Sequence, residues 1–174
     1  MTYKVIQWAT GGVGKAAVQY IDAHPDLELV GCWVSSASKD GLDVGEICGL
    51  APMGITATTD AEALLATQAD CVMYSPVMAD RALVARLLAS GKNVVTPLGW
   101  FYPGDRDVAD LQQACAEGNS TLHGTGSHPG GITERFPLMV SALSASISHV
   151  RAEEFSDIRT YGAPDVVSDI MLFG

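Results

Sequence analysis

The sequence predicts an α/β protein: a doubly wound parallel sheet followed by the start of a second α+β domain. Three observations carry that expectation. Short apolar runs alternate with amphipathic helical patterns along residues 1–131, the arrangement of a parallel sheet covered by helices on both faces. A glycine-rich turn joins the first apolar run to the first helical pattern. Beyond residue 131 the alternation stops, and residues 132–174 read as the opening of a different, incomplete domain.

Residues 3–8 give the first strand and residues 27–34 (LELVGCWV) the second. Between them, residues 15–23 place Ala17, Val18 and Ile21 on one helical face, and Pro25 stops the helix, so the three elements form a βαβ unit. Residues 35–54, with four glycines and little periodicity, predict a long loop. Thr59-Asp60-Ala61-Glu62 has the form of a capping box and starts a helix ending near Thr67. Residues 70–75 (DCVMYS) are a third strand, and residues 79–90 an amphipathic helix closed by Gly91. A strand at 93–96, a helix at 108–117 and a strand near 121–124 complete the alternation. A punctuated loop at 124–131 (GTGSHPGG) leads to a predicted helix at 133–146. Residues 149–161 are expected to form a long strand opening a second sheet, and Pro164 stands at a helix start.

Composition narrows the partners. A chain of 174 residues with 48% hydrophobic content can bury a sizeable core. A formal net charge of −10 argues against nucleic acid and anionic membranes as partners. No apolar run approaches the roughly 18 residues of a membrane span, and the N-terminus has no secretory-signal pattern, so a cytoplasmic location is expected. Four cysteines, Cys32, Cys48, Cys71 and Cys115, lack metal-ligand spacing; three fall inside apolar or helical patterns as small buried hydrophobes, and no metal is expected.

The chemistry lies in the turn VIQWATGGVGKAAVQYI, residues 5–21. Amides at the N-terminus of a helix that follows a strand can point at a pyrophosphate, and the helix dipole adds favourable potential despite the acidic whole. Gly12-Val13-Gly14-Lys15-Ala16-Ala17 fits Gly-x-Gly-x-x-Ala, and residues Thr10, Gly11, Gly12, Val13 and Gly14 are the expected cradle of a dinucleotide. The second strand ends in Val34-Ser35-Ser36-Ala37-Ser38-Lys39, without the carboxylate that binds a ribose 2′-hydroxyl and repels a 2′-phosphate. Ser35, Ser36 and Lys39 therefore admit NADP as well as NAD, and favour NADP.

The Gly-Gly-Val-Gly-Lys-Ala-Ala loop, Tyr74-Ser75-Pro76 and Val94-Val95-Thr96-Pro97 resemble the dihydrodipicolinate reductase-like superfamily. Gly126-Ser127-His128-Pro129-Gly130 is similar to its 2,4-diaminopentanoate dehydrogenase and amine dehydrogenase branch, and the resemblance covers nearly all of the chain. It implies a Rossmann domain over 1–131 and a smaller substrate and oligomerisation domain from 132, hydride transfer between a nicotinamide and a carbon–nitrogen bond of a small substrate, and a homo-oligomer built through the second domain. It also implies that Ser75 and Pro76 line the adenine and ribose side, that Thr96 and Pro97 line the nicotinamide side, and that residues 126–130 close over the nicotinamide.

The sequence departs from the family in two places. True dihydrodipicolinate reductases carry Glu-x-His-His-x-x-Lys before Asp-Ala-Pro-Ser-Gly-Thr. Here Glu154 and Ala163-Pro164 match, but Ser156 and Asp157 replace the histidines and Thr160 the lysine, which argues against the lysine-biosynthetic reaction. The acidic residue that the amine dehydrogenase branch carries after its Val-Val-Thr strand is replaced by an aromatic loop, Trp100-Phe101-Tyr102, expected to line an apolar substrate pocket or to pack on a second domain. His128 is the candidate acid or base, since a histidine beside a nicotinamide can exchange a proton near neutral pH, and Glu154 is the candidate for a cationic amine. A carbonyl or hydroxyl substrate, or a non-catalytic module that senses redox state, stays open as an alternative.

Overall fold

The computed structural model describes residues 1–104 and 107–173. They form two compact units, Met1–Gly126 and Ser127–Gly174. The division falls slightly before the residue-131 boundary expected from the sequence.

The first unit holds β1 (Tyr3–Trp8), α1 (Gly12–Ala23), β2 (Leu27–Trp33), α2 (Val44–Cys48), β3 (Ala57–Thr58), α3 (Ala61–Ala66), β4 (Cys71–Tyr74), α4 (Arg81–Ala89), β5 (Asn93–Thr96), α5 (Ala109–Gly118) and β6 (Leu122–Gly124). The six strands pair in the order β3-β2-β1-β4-β5-β6, and every pair is parallel. The chain steps outward from β1 to β3, returns to β4 and steps outward the other way. The order therefore reverses between β1 and β4, the point where open α/β sheets bind ligands outside their carboxyl ends.

The alternation of side chains along β1 builds both layers. Ile6 and Trp8 point into a core with Leu64, Val84, Leu87, Leu88 and Leu111 from α3, α4 and α5. Val5 points the other way, into a core with Val18, Ile21, Val44 and Cys48 from α1 and α2. Trp8 stacks on Trp33 of β2 at 5.3 Å and packs on Tyr74 of β4 at 6.2 Å, so three aromatics tie the central strands together near the reversal point.

Several local expectations change. Residues 35–54 are not loop throughout. The Asp43 carboxylate accepts from the amides of Gly45, Met53 and Gly54, at 2.8, 2.9 and 2.8 Å, and this nucleates α2 and folds the loop back on itself. Those amides, that of Met53 foremost, hold the Asp43 carboxyl below its ordinary range. Two-residue β3 is too short to leave an apolar run. At α3 the cap is Asp60, accepting from Glu62 and Ala63, rather than a capping box on Thr59, whose hydroxyl bonds Asp40. The cysteines are free thiols: Cys32 and Cys48 are buried, and burial pushes Cys32 up to about 12 and half-buried Cys71 up to about 11.

The second unit differs more from expectation. The helix predicted at 133–146 is shorter: a π-helical turn, Gly131–Arg135, runs into α6, Phe136–Ser141. Pro137 supplies no amide, and its ring crowds the carbonyl four residues back, which favours a wider turn ahead of it. The strand predicted at 149–161 does not form. Residues 149–157 have no regular secondary structure and pair with no described strand, and one turn of 3₁₀ helix, Ile158–Thr160, follows. A local sequence pattern cannot make a strand; the backbone groups need a ladder. A π-helical turn at Val166–Ile170 follows Pro164. Among the described residues no helix is long and apolar enough to cross a membrane.

Candidate functional site

The site is built where β1 ends. Ala9 has φ of +74°, a left-handed conformation that glycine adopts freely and alanine at a cost. Gly11 caps α1 and Gly14 is buried in its first turn. A Cβ on Gly14 would lie 2.0 Å from the Ala9 carbonyl oxygen, so helix and strand approach too closely there for any side chain.

These positions move the fingerprint. The left-handed turn residue, the helix cap and the close-packing residue are Ala9, Gly11 and Gly14, an Ala-x-Gly-x-x-Gly reading of Gly-x-Gly-x-x-Gly. The expected assignment, with Gly12 first and Ala17 as the packing residue, is corrected: Ala17 is only half-buried, and α1 starts at Gly12 rather than Lys15. Replacing Ala9 by glycine should relieve the turn and stabilise the protein by about 1 kcal/mol, read by chemical denaturation. A loss of stability would contradict the left-handed assignment.

The mouth of the turn is open. A Cβ at Gly11 or Gly12 would have no atom within 4 Å, and α1 has neither a side-chain cap nor an acidic residue in its first turn. Its first amides and the positive end of its dipole thus face an unobstructed space that a phosphate can enter. Val13 is exposed beside it.

Lys39 reaches this turn from beyond β2. Its Nζ donates to the Thr10 hydroxyl at 3.0 Å and to the Thr10 carbonyl at 3.3 Å, and Thr10 itself is buried. A cation is thereby held against the glycine turn, on the side where β2 ends. Ser35 and Ser36 are exposed at the tip of β2, with the Ser36 hydroxyl 2.7 Å from that of Ser38.

Across the reversal point, the Ser75 amide donates to the Trp8 carbonyl at 3.0 Å, and the Ser75 hydroxyl lies 2.9 Å from Nε2 of Gln7. The loop after β4, with half-buried Pro76, is so joined to the end of β1. Tyr74 holds the other end of that loop: its hydroxyl accepts from the Asp80 amide at 2.9 Å, and burial raises its pKa. Thr96 is fully buried and its hydroxyl accepts from the Leu98 amide at 3.1 Å, so it shapes the turn that carries half-buried Pro97. Trp100 packs against the first unit's own core, beside Leu98, while Tyr102 stays exposed.

The structure therefore brings together Thr10–Gly14, Lys39 and Ser75 around one turn. His128 and Glu154 belong to the second unit, where both are exposed. Gln7, absent from the sequence reading, is the buried polar residue at the centre of the turn. Its signal was a lone amide inside the apolar run VIQW.

Residues 5–102, more than half the chain, match the family model described as dihydrodipicolinate reductase, N-terminus. The chain belongs to this family. Over 97% of its length it is 33% identical to an amine dehydrogenase of Streptomyces virginiae, of which it covers 50%. Over 61 residues, 35% of the chain, it is 41% identical to a 4-hydroxy-tetrahydrodipicolinate reductase of Synechococcus elongatus, of which that stretch is 22%. The chain thus spans at most half the length of these relatives. Its fold is shared with the amine dehydrogenase structure from Mycobacterium smegmatis, at a TM-score of 0.72 and 20% identity, covering 84% of this chain and 46% of that one. The family's match ends at residue 102, so it rests on β1 to β5 and the glycine turn.

Proposed function

We propose that this chain carries the cofactor-binding part of an NAD(P)-dependent oxidoreductase that moves hydride between a nicotinamide and a carbon–nitrogen bond. The observation that carries the cofactor reading is the open Ala9–Gly14 turn with Lys39 held against Thr10, at the reversal point of a 3-2-1-4-5-6 sheet. The space that a Cβ on Gly11 or Gly12 would fill fits a pyrophosphate, and the α1 amides would hold it. Lys39, in place of an acid at the end of β2, would hold a 2′-phosphate, which favours NADP over NAD. Ser75 and Pro76 would border the ribose and Pro97 the nicotinamide, with Thr96 setting the course of its loop. The nicotinamide supplies the hydride carrier.

The carbon–nitrogen substrate rests on the relatives, one named an amine dehydrogenase and the other a 4-hydroxy-tetrahydrodipicolinate reductase. His128 remains the proposed acid or base and Glu154 the proposed partner for a cationic amine. Phe136, Leu138, Met139 and Leu143 expose an apolar surface in the second unit, which supports association through it.

The test of substrate class is transfer of deuteride from 4-deuterated NADPH. Label should appear on a carbon bearing nitrogen when a ketone and ammonia are supplied. Label found only in an alcohol would replace this reading by hydride transfer to a carbonyl.

A further inference from the structure

The strongest unexplained feature of the first unit is an amide buried inside it. Gln7 is fully buried on β1, on the side that faces α1, because a Cβ on Gly14 would lie 3.0 Å from its Nε2. That nitrogen is 2.8 Å from the Ala9 carbonyl oxygen, 3.2 Å from the Trp8 carbonyl oxygen and 2.9 Å from the Ser75 hydroxyl. The Ser75 hydroxyl also donates to the Trp8 carbonyl at 3.3 Å. One side chain thus grips the left-handed turn residue, the end of β1 and the loop after β4. Its own oxygen, Oε1, is buried with no hydrogen-bond partner among the described residues.

A buried polar atom left unpaired opposes folding, and an apolar residue of similar volume would avoid it. Val5, which points to the same side of β1 as Gln7, shows what this layer otherwise takes. A core amide in this position is better accounted for by the geometry it imposes than by the stability it adds.

We infer that Gln7 is a positioning residue of the cofactor cradle. Its amide fixes the Ala9 carbonyl, and with it the left-handed turn that aims the α1 amides at the pyrophosphate. It also ties that turn to Ser75, so that the two sides of the crevice keep one spacing. This inference rests on the dinucleotide reading above and adds to it a residue that would touch no part of the ligand.

The test uses Gln7→Leu and Gln7→Glu, with NADPH and adenosine 2′-monophosphate as probes; the second probe has no pyrophosphate. Gln7→Leu should keep or raise the unfolding midpoint while NADPH affinity falls about tenfold and that for adenosine 2′-monophosphate holds. Gln7→Glu separates geometry from packing. As a carboxylate it can only accept, so it opposes the Ala9 carbonyl; protonated, it donates again. Burial raises the pKa of such a group. NADPH affinity of this variant, taken relative to the unmodified protein, should therefore recover as pH falls from 8 to about 5.5. Unchanged NADPH affinity in folded Gln7→Leu, equal losses for both probes, or a pH-independent deficit in Gln7→Glu would overturn the inference. If the unmodified protein binds neither dinucleotide, the functional reading itself fails, and the two failures are told apart by that control.

Discussion

Gly14→Ala should cost the protein roughly 3 kcal/mol of stability, the upper end for overpacking, and at least about a hundredfold in NADPH affinity. The added Cβ would stand 2.0 Å from the Ala9 carbonyl oxygen, 2.9 Å from the Ala9 carbonyl carbon and 3.0 Å from Gln7 Nε2. Two of these are backbone atoms of a turn already fixed at positive φ, so no rotamer change can absorb the clash. Either the Ala9 carbonyl swings away and leaves the Gln7 amide, or the N-terminus of α1 lifts from the sheet. Both would dismantle the proposed cradle. Gly12→Ala supplies the contrast, since its Cβ would meet nothing within 4 Å. Stability should stay within about 0.5 kcal/mol, while the methyl group occupies the proposed phosphate space and weakens NADPH binding about tenfold. Denaturant unfolding and ligand titration on both variants check the pair. Equal stability losses would mean that the turn differs from the one described.

The second large effect is on cofactor choice. Lys39→Glu replaces the cation held on Thr10 by an anion, beyond the end of β2 where the proposed 2′-phosphate would lie. A charge-assisted hydrogen bond contributes about 2 kcal/mol, and losing it alone weakens NADPH roughly thirtyfold. Repulsion between carboxylate and phosphate adds to that at low salt and is screened as salt rises. NADH, which lacks the 2′-phosphate, should change by less than about threefold. Competition titrations at low and high salt measure both numbers. Equal losses for the two dinucleotides would assign Lys39 to the turn's structure and remove the preference for NADP.

The parts of the fold legible in the sequence are those whose burial leaves a pattern. β1, β2, β4 and β5 lie inside a sheet covered by helices and read as apolar runs. α4 and α5 carry their core residues at helical spacing, and Asp80, which accepts from the Leu83 amide, marks where α4 begins. What escaped was set by contacts between distant residues. Asp43 builds α2 with the amides of Met53 and Gly54, and no local window contains that arrangement. Residues 149–161 are expected as a strand, yet a strand is a relation between two segments, and the described chain offers no partner.

The site shows the same division. Three glycines in four residues announced a turn, but which residue carries the positive φ is a property of the backbone, and it proved to be Ala9. Lys39 was legible as a cation beyond the second strand; that it reaches back to Thr10 was not. Gln7 stood in plain view as a polar residue in an apolar strand. Its meaning required the position of Ser75, which the chain reaches only after β2, β3 and α3.

The central claim, a dinucleotide cradle at Ala9–Gly14, is tested most directly by titrating the protein with NADPH, NADH and ATP. Energy transfer from tryptophan to the reduced nicotinamide reports the reduced dinucleotides, and displacement of NADPH reports ATP. A cradle there predicts saturable NADPH binding well below millimolar concentration, weaker NADH binding, and a loss of about tenfold in both for Gly12→Ala with the fold intact. Failure of both dinucleotides to bind below millimolar concentration would contradict it.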